Sequence, residues 1–345
     1  VIMTLSKELT EIGADRLPDI AARGRDILMQ RAATLGPETG KDGDDLALAS
    51  TYEGAYSPRT LRAYQLGQRT FADWCSENGI PYAFPAHSIT PEALALFIGD
   101  LSGKGLSPAT IANYVAGVAA MHRAIDLPSP ADSTTVRNAL KAMRRAVDVD
   151  QKQAAPVRRR DIDAALALIG DSLSALRDAA LIALAYDTGA RADNLVAFNV
   201  GDLVEADGVA SIRVRRSKTD QDGKGRTIPV LPDTMVRLRA WIAASGLERE
   251  PSTAPLFLPL SNKAKGSRLT RRDVSRIFAK RISPDASAHS IRIGAAQDMR
   301  AAGFKNSDIA HAFGWKGDAM PARYTAHLDA QDSAAVKLAV MQGRV

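Results

Sequence analysis

The stretch His289-Ser290-Ile291-Arg292-Ile293-Gly294-Ala295-Ala296 places an arginine inside a run of small and apolar residues that reads as a helix. His289 and Arg292 are three residues apart, so a helix puts both on one face. No aspartate or glutamate stands at helical distance before Arg292, and Ile291 and Ile293 flank it. An arginine on such a helix needs a partner, and a phosphate would provide one. Working outward, Gly314-Trp315 and Tyr324 follow, and Thr188-Gly189-Ala190-Arg191 lies upstream. Thr188-Gly189 is a helix-ending signal, so Arg191 should begin a new turn at a surface or cleft.

These residue types suit one chemistry. A phosphodiester repels nucleophiles, and its pentacoordinate transition state gathers further charge on the non-bridging oxygens. Two arginines can hold those oxygens through planar hydrogen-bond forks. His289 adds a hydrogen-bond donor or proton carrier. Tyr324, once deprotonated, can attack phosphorus and leave a covalent phosphotyrosine. Taken singly, each has a plainer reading: Arg191 as a salt-bridge partner, His289 as a satisfied core histidine, Trp315 as packing, Tyr324 as an aromatic anchor. Their company favours phosphate chemistry.

Arg191, Lys218 on a predicted hairpin, His289-x-x-Arg292, Gly314-Trp315, and Tyr324 nine residues later resemble the active site of the tyrosine recombinase (phage integrase) family. Most of that family carries histidine where Trp315 stands, and its Cre-like members carry tryptophan. The likeness extends from about Ser57 to the end of the chain, including Trp74-Cys75 and Met121-His122-Arg123.

The resemblance implies a site-specific DNA recombinase. Tyr324 would cleave double-stranded DNA at a specific target site, giving a 3′-phosphotyrosine and a free 5′ hydroxyl. Strands would then be exchanged through a Holliday junction in a homotetramer on two sites. Bond energy stays in the covalent link, so no ATP, metal or other cofactor is expected. The chain offers no P-loop and no evident carboxylate cluster for paired Mg²⁺ ions. Two rival readings are a relaxing type IB topoisomerase and a catalytically silent DNA-binding protein.

The same resemblance gives Lys218 the task of protonating the departing 5′ oxygen, with Lys224 at the hairpin tip as the competitor. It selects Trp315 over His311 by the interval to Tyr324. The indole N–H of Trp315 can donate to a phosphate oxygen while the ring packs against the tyrosine segment. Three residues after Arg191 the family usually has an acid; here Asn194 stands there, with Asp193 one position early. Asn194 can orient His289 without adding charge, or Asp193 can substitute after a local shift.

The chain has 345 residues, 46% hydrophobic and 24% charged, which suits two globular domains. No apolar run is long enough to span a bilayer, and no secretory signal pattern is legible, so cytoplasmic action on nucleoid DNA is expected. Cys75 is the single cysteine, which excludes an intramolecular disulfide. Net charge is +6, yet residues 1–50 hold six Lys/Arg against nine Asp/Glu, so the remainder carries a surplus of nine basic charges. One basic cluster contains Arg137, Lys141, Arg144, Arg145, Lys152, Arg158, Arg159 and Arg160. Another contains Lys263, Lys265, Arg268, Arg271, Arg272, Arg276, Lys280 and Arg281. Beside a phosphate site these read as backbone contacts rather than merely solvated faces. Arg271 and Arg272, in the first turn of a helix opening at Thr270, are candidates to read guanine, with Lys263, Lys265 and Arg268 gripping phosphates. The helix ending near Arg123 is a second groove candidate.

The expected architecture is mainly α with one small sheet. Residues 1–55 read as an arm with one helix near Leu17 to Thr34. Residues 56–147 read as a helical DNA-binding domain. Ser57-Pro58, Thr90-Pro91 and Ser107-Pro108 each place a hydroxyl cap before a helix-starting proline, and Asp132-Ser133 caps a fourth helix. Residues 148–157 read as a linker that lets the two domains clamp a duplex. Residues 158–345 form the catalytic domain, with strands at Ser211 to Arg216 and Arg226 to Leu231. Its last segment, 328–345, is a helix expected to dock into a neighbouring protomer.

Overall fold

The computed structural model describes residues 56–80, 89–124, 126–146, 154–215, 225–261, 267–331 and 333–344. The expected arm helix, Lys218, Lys224, Lys152, Lys263 and Lys265 lie outside the described residues. The chain divides into two compact units, 1–151 and 152–345.

The first unit contains four α-helices among the described residues: α1 (Pro58–Glu77), α2 (Pro91–Gly103), α3 (Pro108–Ala124) and α4 (Thr134–Ala146). Their starts follow the hydroxyl-proline grammar. Ser57, Thr90 and Ser107 accept from the backbone N–H of Thr60, Ala93 and Thr110, each at 3.2 Å, satisfying donors the first helical turn leaves open. Ser133 does the same for Val136 at 3.2 Å. The apolar stripes meet in one core around Phe71, Trp74, Cys75, Leu94, Phe97 and Val118. Phe71 meets Phe97 edge to face at 5.1 Å between centroids, and the Trp74 indole donates to Asp100 at 2.8 Å. The ring pair adds about 1 kcal/mol beyond its buried area. Burial raises the Cys75 thiol to about 12, so it behaves as a small apolar residue.

The second unit opens with α5 (Arg159–Ala167), α6 (Leu173–Thr188) and the short α7 (Ala192–Ala197). A three-stranded antiparallel sheet follows, in the order β1 (Leu203–Ala206), β2 (Val209–Val214), β3 (Arg226–Val230). Strand β1 is an addition to the expected pair; its residues are half-buried or exposed, so no alternating pattern announces it. Then come α8 (Pro232–Ser245), α9 (Arg271–Arg281), α10 (Ala288–Ala301), α11 (Asn306–Phe313), α12 (Ala319–Gln331) and α13 (Ala334–Met341).

Helix α10 is the central element, buried continuously from Ser290 to Gln297. The Val157 N–H donates to the Ser290 carbonyl at 3.0 Å, and a Cβ on Gly294 would stand 1.8 Å from the Val157 carbonyl oxygen. The small residue in the opening stretch therefore admits another backbone against the helix. Val157, the last residue of the expected linker, is buried in the core of this unit with Ile162 and Ile291.

The expected docking segment, 328–345, spans the end of one helix and the whole of the next. Residues 328–331 continue α12, where Asp329 accepts from Arg300 and, at 3.0 Å, from Thr325.

Candidate active site

Helix α6 ends at Gly189 in the left-handed conformation, φ +54°, where a Cβ would meet the Phe313 ring at 2.6 Å. Only glycine satisfies both demands. The turn sets Arg191 at the N-cap of α7. On α10, Ser287 caps the first turn by accepting from Ser290 N at 3.1 Å. This places His289 on the exposed side of that turn and Arg292 in the interior, 3% exposed.

Arg292 is held by backbone. One guanidinium nitrogen donates to the Gly189 carbonyl, the other to the Phe313 carbonyl at 2.8 Å. Its central carbon lies 4.3 Å from the Trp315 ring centroid and 5.2 Å from that of Phe313. Trp315 follows Gly314, the left-handed cap of α11, and its ring is 5.6 Å from Tyr324. His289 meets Tyr324 edge to face at 5.7 Å, and the Tyr324 carbonyl accepts from Gln297 at 3.0 Å.

The field is strongly positive. Burial, then Arg191 and Arg226, act against the charge on Arg292. A guanidinium nevertheless stays protonated at neutral pH, so the strain appears as a demand for an anion. No carboxylate among the described residues pairs with Arg191, Arg226 or Arg292. His289 is held below its ordinary value by partial burial first, then by Arg292, Arg191 and Arg323, which leaves a neutral imidazole able to accept a proton. Burial raises the Tyr324 phenol, while Arg292, Arg323 and Arg191 pull it back. Deprotonating Tyr324 thus requires a base and rewards a cationic surround.

Five of the six expected catalytic residues, Arg191, His289, Arg292, Trp315 and Tyr324, come together in one unit; the sixth is Lys218, outside the described residues. Arg226 and Arg323 join them unannounced. Both stand in local sequence without a distinguishing pattern; the one available signal for the second is that Arg323 directly precedes Tyr324.

Asp193, the competitor for the place of the usual acid, is exposed and pairs with Arg271 at 3.1 Å. Asn194 lines an open cavity of about 440 Å³ together with Asp202, Arg213 and Arg215. Among the described residues no group of three His, Cys, Asp or Glu side chains converges as a metal site.

The expected DNA contacts divide by what holds them. Arg158 donates to Asp298 at 2.6 Å, and Arg159 pairs with Asp163 at 2.8 Å and Asp233 at 2.9 Å. Arg268 closes on the carbonyls of Val196 and Phe198, at 3.2 and 3.1 Å, and on Asn199. Carboxylates, backbone carbonyls and Asn199 of the same unit thus already occupy donors of these three side chains. Arg160 and Arg272 are exposed, and Arg271 shares its charge with Asp193. In the first unit, Arg123 pairs with Asp132 at 3.1 Å. Arg137, Lys141, Arg144 and Arg145 occupy one exposed face of α4, with no carboxylate partner among the described residues.

On this mainly α frame Tyr324 stands between the His289 and Trp315 rings, under the charges of Arg292, Arg323 and Arg191. The phage integrase family profile matches residues 157–331, and the chain belongs to that family, the tyrosine recombinases. It is similar to the recombinase Cre of Escherichia phage P1, 28% identical over 307 residues, covering 82% of this chain and 88% of that protein. An integrase/recombinase XerD homolog of Selenomonas ruminantium is 28% identical over 240 residues, covering 66% and 68%. Among solved structures, the XerH site-specific recombinase on palindromic difH superposes with a TM-score of 0.58 at 18% identity, over 90% of this chain and 94% of that one. The Tn1549 transposon integrase with circular intermediate DNA gives 0.56 at 16%, over 81% and 94%. Both likenesses are of fold. The chain is accordingly a site-specific recombinase. No described helix is long and apolar enough to cross a membrane.

Proposed function

We propose that Tyr324 is the nucleophile and that Arg191, His289, Arg292 and Trp315 form the phosphate site around it. The Tyr324 oxygen bonds to phosphorus as the bond to the 5′ oxygen breaks. The phenolic proton passes to His289, and Lys218 gives a proton to the departing 5′ oxygen. Arg191 and Arg292 hold the non-bridging oxygens, and the Trp315 N–H donates to one of them. In rejoining, the 5′ hydroxyl of the partner duplex attacks the 3′-phosphotyrosine and releases the phenol. Asn194 stands in as a neutral supporting residue. The observation that carries this reading is the Tyr324 ring set between His289 and Trp315, the latter packed under Arg292, a guanidinium with no carboxylate partner among the described residues.

The target is a specific site in duplex DNA, reached in the cytoplasm. The exposed basic face of α4, with Arg160, Arg271 and Arg272, contributes phosphate contacts. Two bound sites assemble as a homotetramer through α13, whose Val336, Leu338, Val340 and Met341 are 40–85% exposed.

A nicked suicide duplex carrying the target site tests the chemistry. Wild type traps a covalent adduct, and Tyr324→Phe binds the same DNA without one. An adduct persisting in the phenylalanine variant removes Tyr324 from the mechanism. Deleting the residues after Gln331 should abolish two-site synapsis and leave single-site binding intact; unchanged synapsis rejects α13 as the docking element.

A further inference from the structure

We propose that Arg226 is a positioning residue of this reaction: it fastens the end of α11 to the root of the β2–β3 hairpin and thereby fixes the turn that delivers Trp315. The inference rests on the phosphate site described above and adds a residue that the sequence comparison with the family did not single out.

Arg226 is the first residue of β3, paired in register with Val214 of β2. The segment between these two positions is the one carrying Lys218. Its guanidinium leaves the sheet and donates to the Ala312 carbonyl at 2.8 Å. The next carbonyl, that of Phe313, accepts from Arg292 at 2.8 Å. The last carbonyls of an α-helix have no intrahelical donor and carry the negative end of its dipole. Two guanidinia from separate elements thus take consecutive carbonyls at the end of α11, directly before Gly314-Trp315. Gly314 adopts φ +63°, and a Cβ there would lie 3.0 Å from the Arg226 guanidinium, so the side chain rests against the turn itself.

The placement is not a by-product of ion pairing, since no carboxylate among the described residues pairs with Arg226. Burial first, then the charge of Arg191, weigh against its charged form. An acid-free, partly buried arginine beside other arginines is unfavourable on its own. Its bond to Ala312 accounts for it: a displaced hairpin root would release the α11 end, and with it the indole that packs on Arg292.

The test uses the full-length protein with Arg226→Ala, Arg226→Lys and Arg226→Gln, each checked by thermal melting. Three quantities are read: amide exchange at Gly314 and Trp315, single-turnover adduct formation on the nicked duplex, and affinity for that duplex. The Gly314 and Trp315 amides donate to His311 at 3.2 Å and Ala310 at 2.9 Å. In Arg226→Ala both should exchange faster. Adduct formation should slow by about a hundredfold, as expected for a misplaced group, while affinity changes by less than about twofold. Arg226→Lys should recover part of the rate and protection, Arg226→Gln less. Unchanged exchange at both amides overturns the proposal, as does a loss confined to DNA affinity, which would make Arg226 a simple phosphate contact. Should Arg226→Ala fail to fold, the lysine and glutamine variants decide by the same criteria. A wild type that forms no adduct rejects the proposed chemistry, whereas the exchange measurement still judges Arg226 alone.

Discussion

The Arg292 guanidinium stacks on Trp315 at 4.3 Å while hydrogen bonding the carbonyl of Phe313, two residues before that tryptophan. The arginine is thus held by the segment it helps to order. Backbone carbonyls take two of its nitrogens and leave its net charge uncompensated for an incoming phosphate.

Trp315 therefore has two separable tasks. Trp315→Ala removes a buried wall of the site and should cost about 3 kcal/mol in urea unfolding. Trp315→Phe keeps an aromatic face and should stay within about 1.5 kcal/mol of wild type. It loses the N–H donor, however, and should form adduct about tenfold more slowly, the size of one charge-assisted hydrogen bond. Wild-type cleavage by the phenylalanine variant would show that packing alone matters.

His289 should titrate below 6.5 in the DNA-free protein, followed by the imidazole signals in NMR. Arg191 is one of the charges that hold it down, so Arg191→Ala should move the midpoint upward. No movement would separate Arg191 from the site. Neutral His289 at neutral pH is also what proton acceptance from Tyr324 requires.

In the first unit, His122 is fully buried and accepts from Ile89 N at 3.2 Å through Nε2. That bond requires an unprotonated Nε2, so Nδ1 carries the proton given to the Val118 carbonyl at 2.9 Å. Burial lowers its folded value below 6.5. The unfolded chain then binds a proton that the folded unit refuses. Stability should be full above 6.5 and fall as pH drops from there toward the lowered value, at up to about 1.4 kcal/mol per pH unit. Urea melts across that window should show a flatter slope for His122→Gln; an equal slope would point to other groups.

Gly294→Ala should be among the most damaging single-methyl additions in the second unit. The new Cβ would lie 1.8 Å from the Val157 carbonyl oxygen, a distance that only backbone movement relieves. A loss of about 3 kcal/mol is expected, read by thermal melting. Exchange of the Val157 amide, which donates to Ser290, should accelerate with it. A protected Val157 amide in the variant would mean the packing adapts elsewhere.

Much of the frame is legible residue by residue. The Ser-Pro and Thr-Pro starts of α1, α2 and α3 act within one turn, and apolar spacing along those helices reports which face is buried, so local sequence suffices. The same holds for the α10 helix and the Gly189 cap. Strand β1 escaped because its side chains are largely exposed, and the burial of Val157 escaped because it is a single apolar position between Pro156 and Arg158.

The sequence alone determined which residues could do phosphate chemistry, since residue type and spacing identify Arg191, His289, Arg292, Trp315 and Tyr324 against a family pattern. Only the tertiary structure decided which arginines remain available for an anion. Arg158 and Arg159 look as basic in sequence as Arg191 or Arg292, yet Asp298 and Asp233 pair with the first two, while no carboxylate among the described residues pairs with the others. A charge is neutralised by what folds against it, 140 positions away for Arg158 and 74 for Arg159, and no local pattern records that partner.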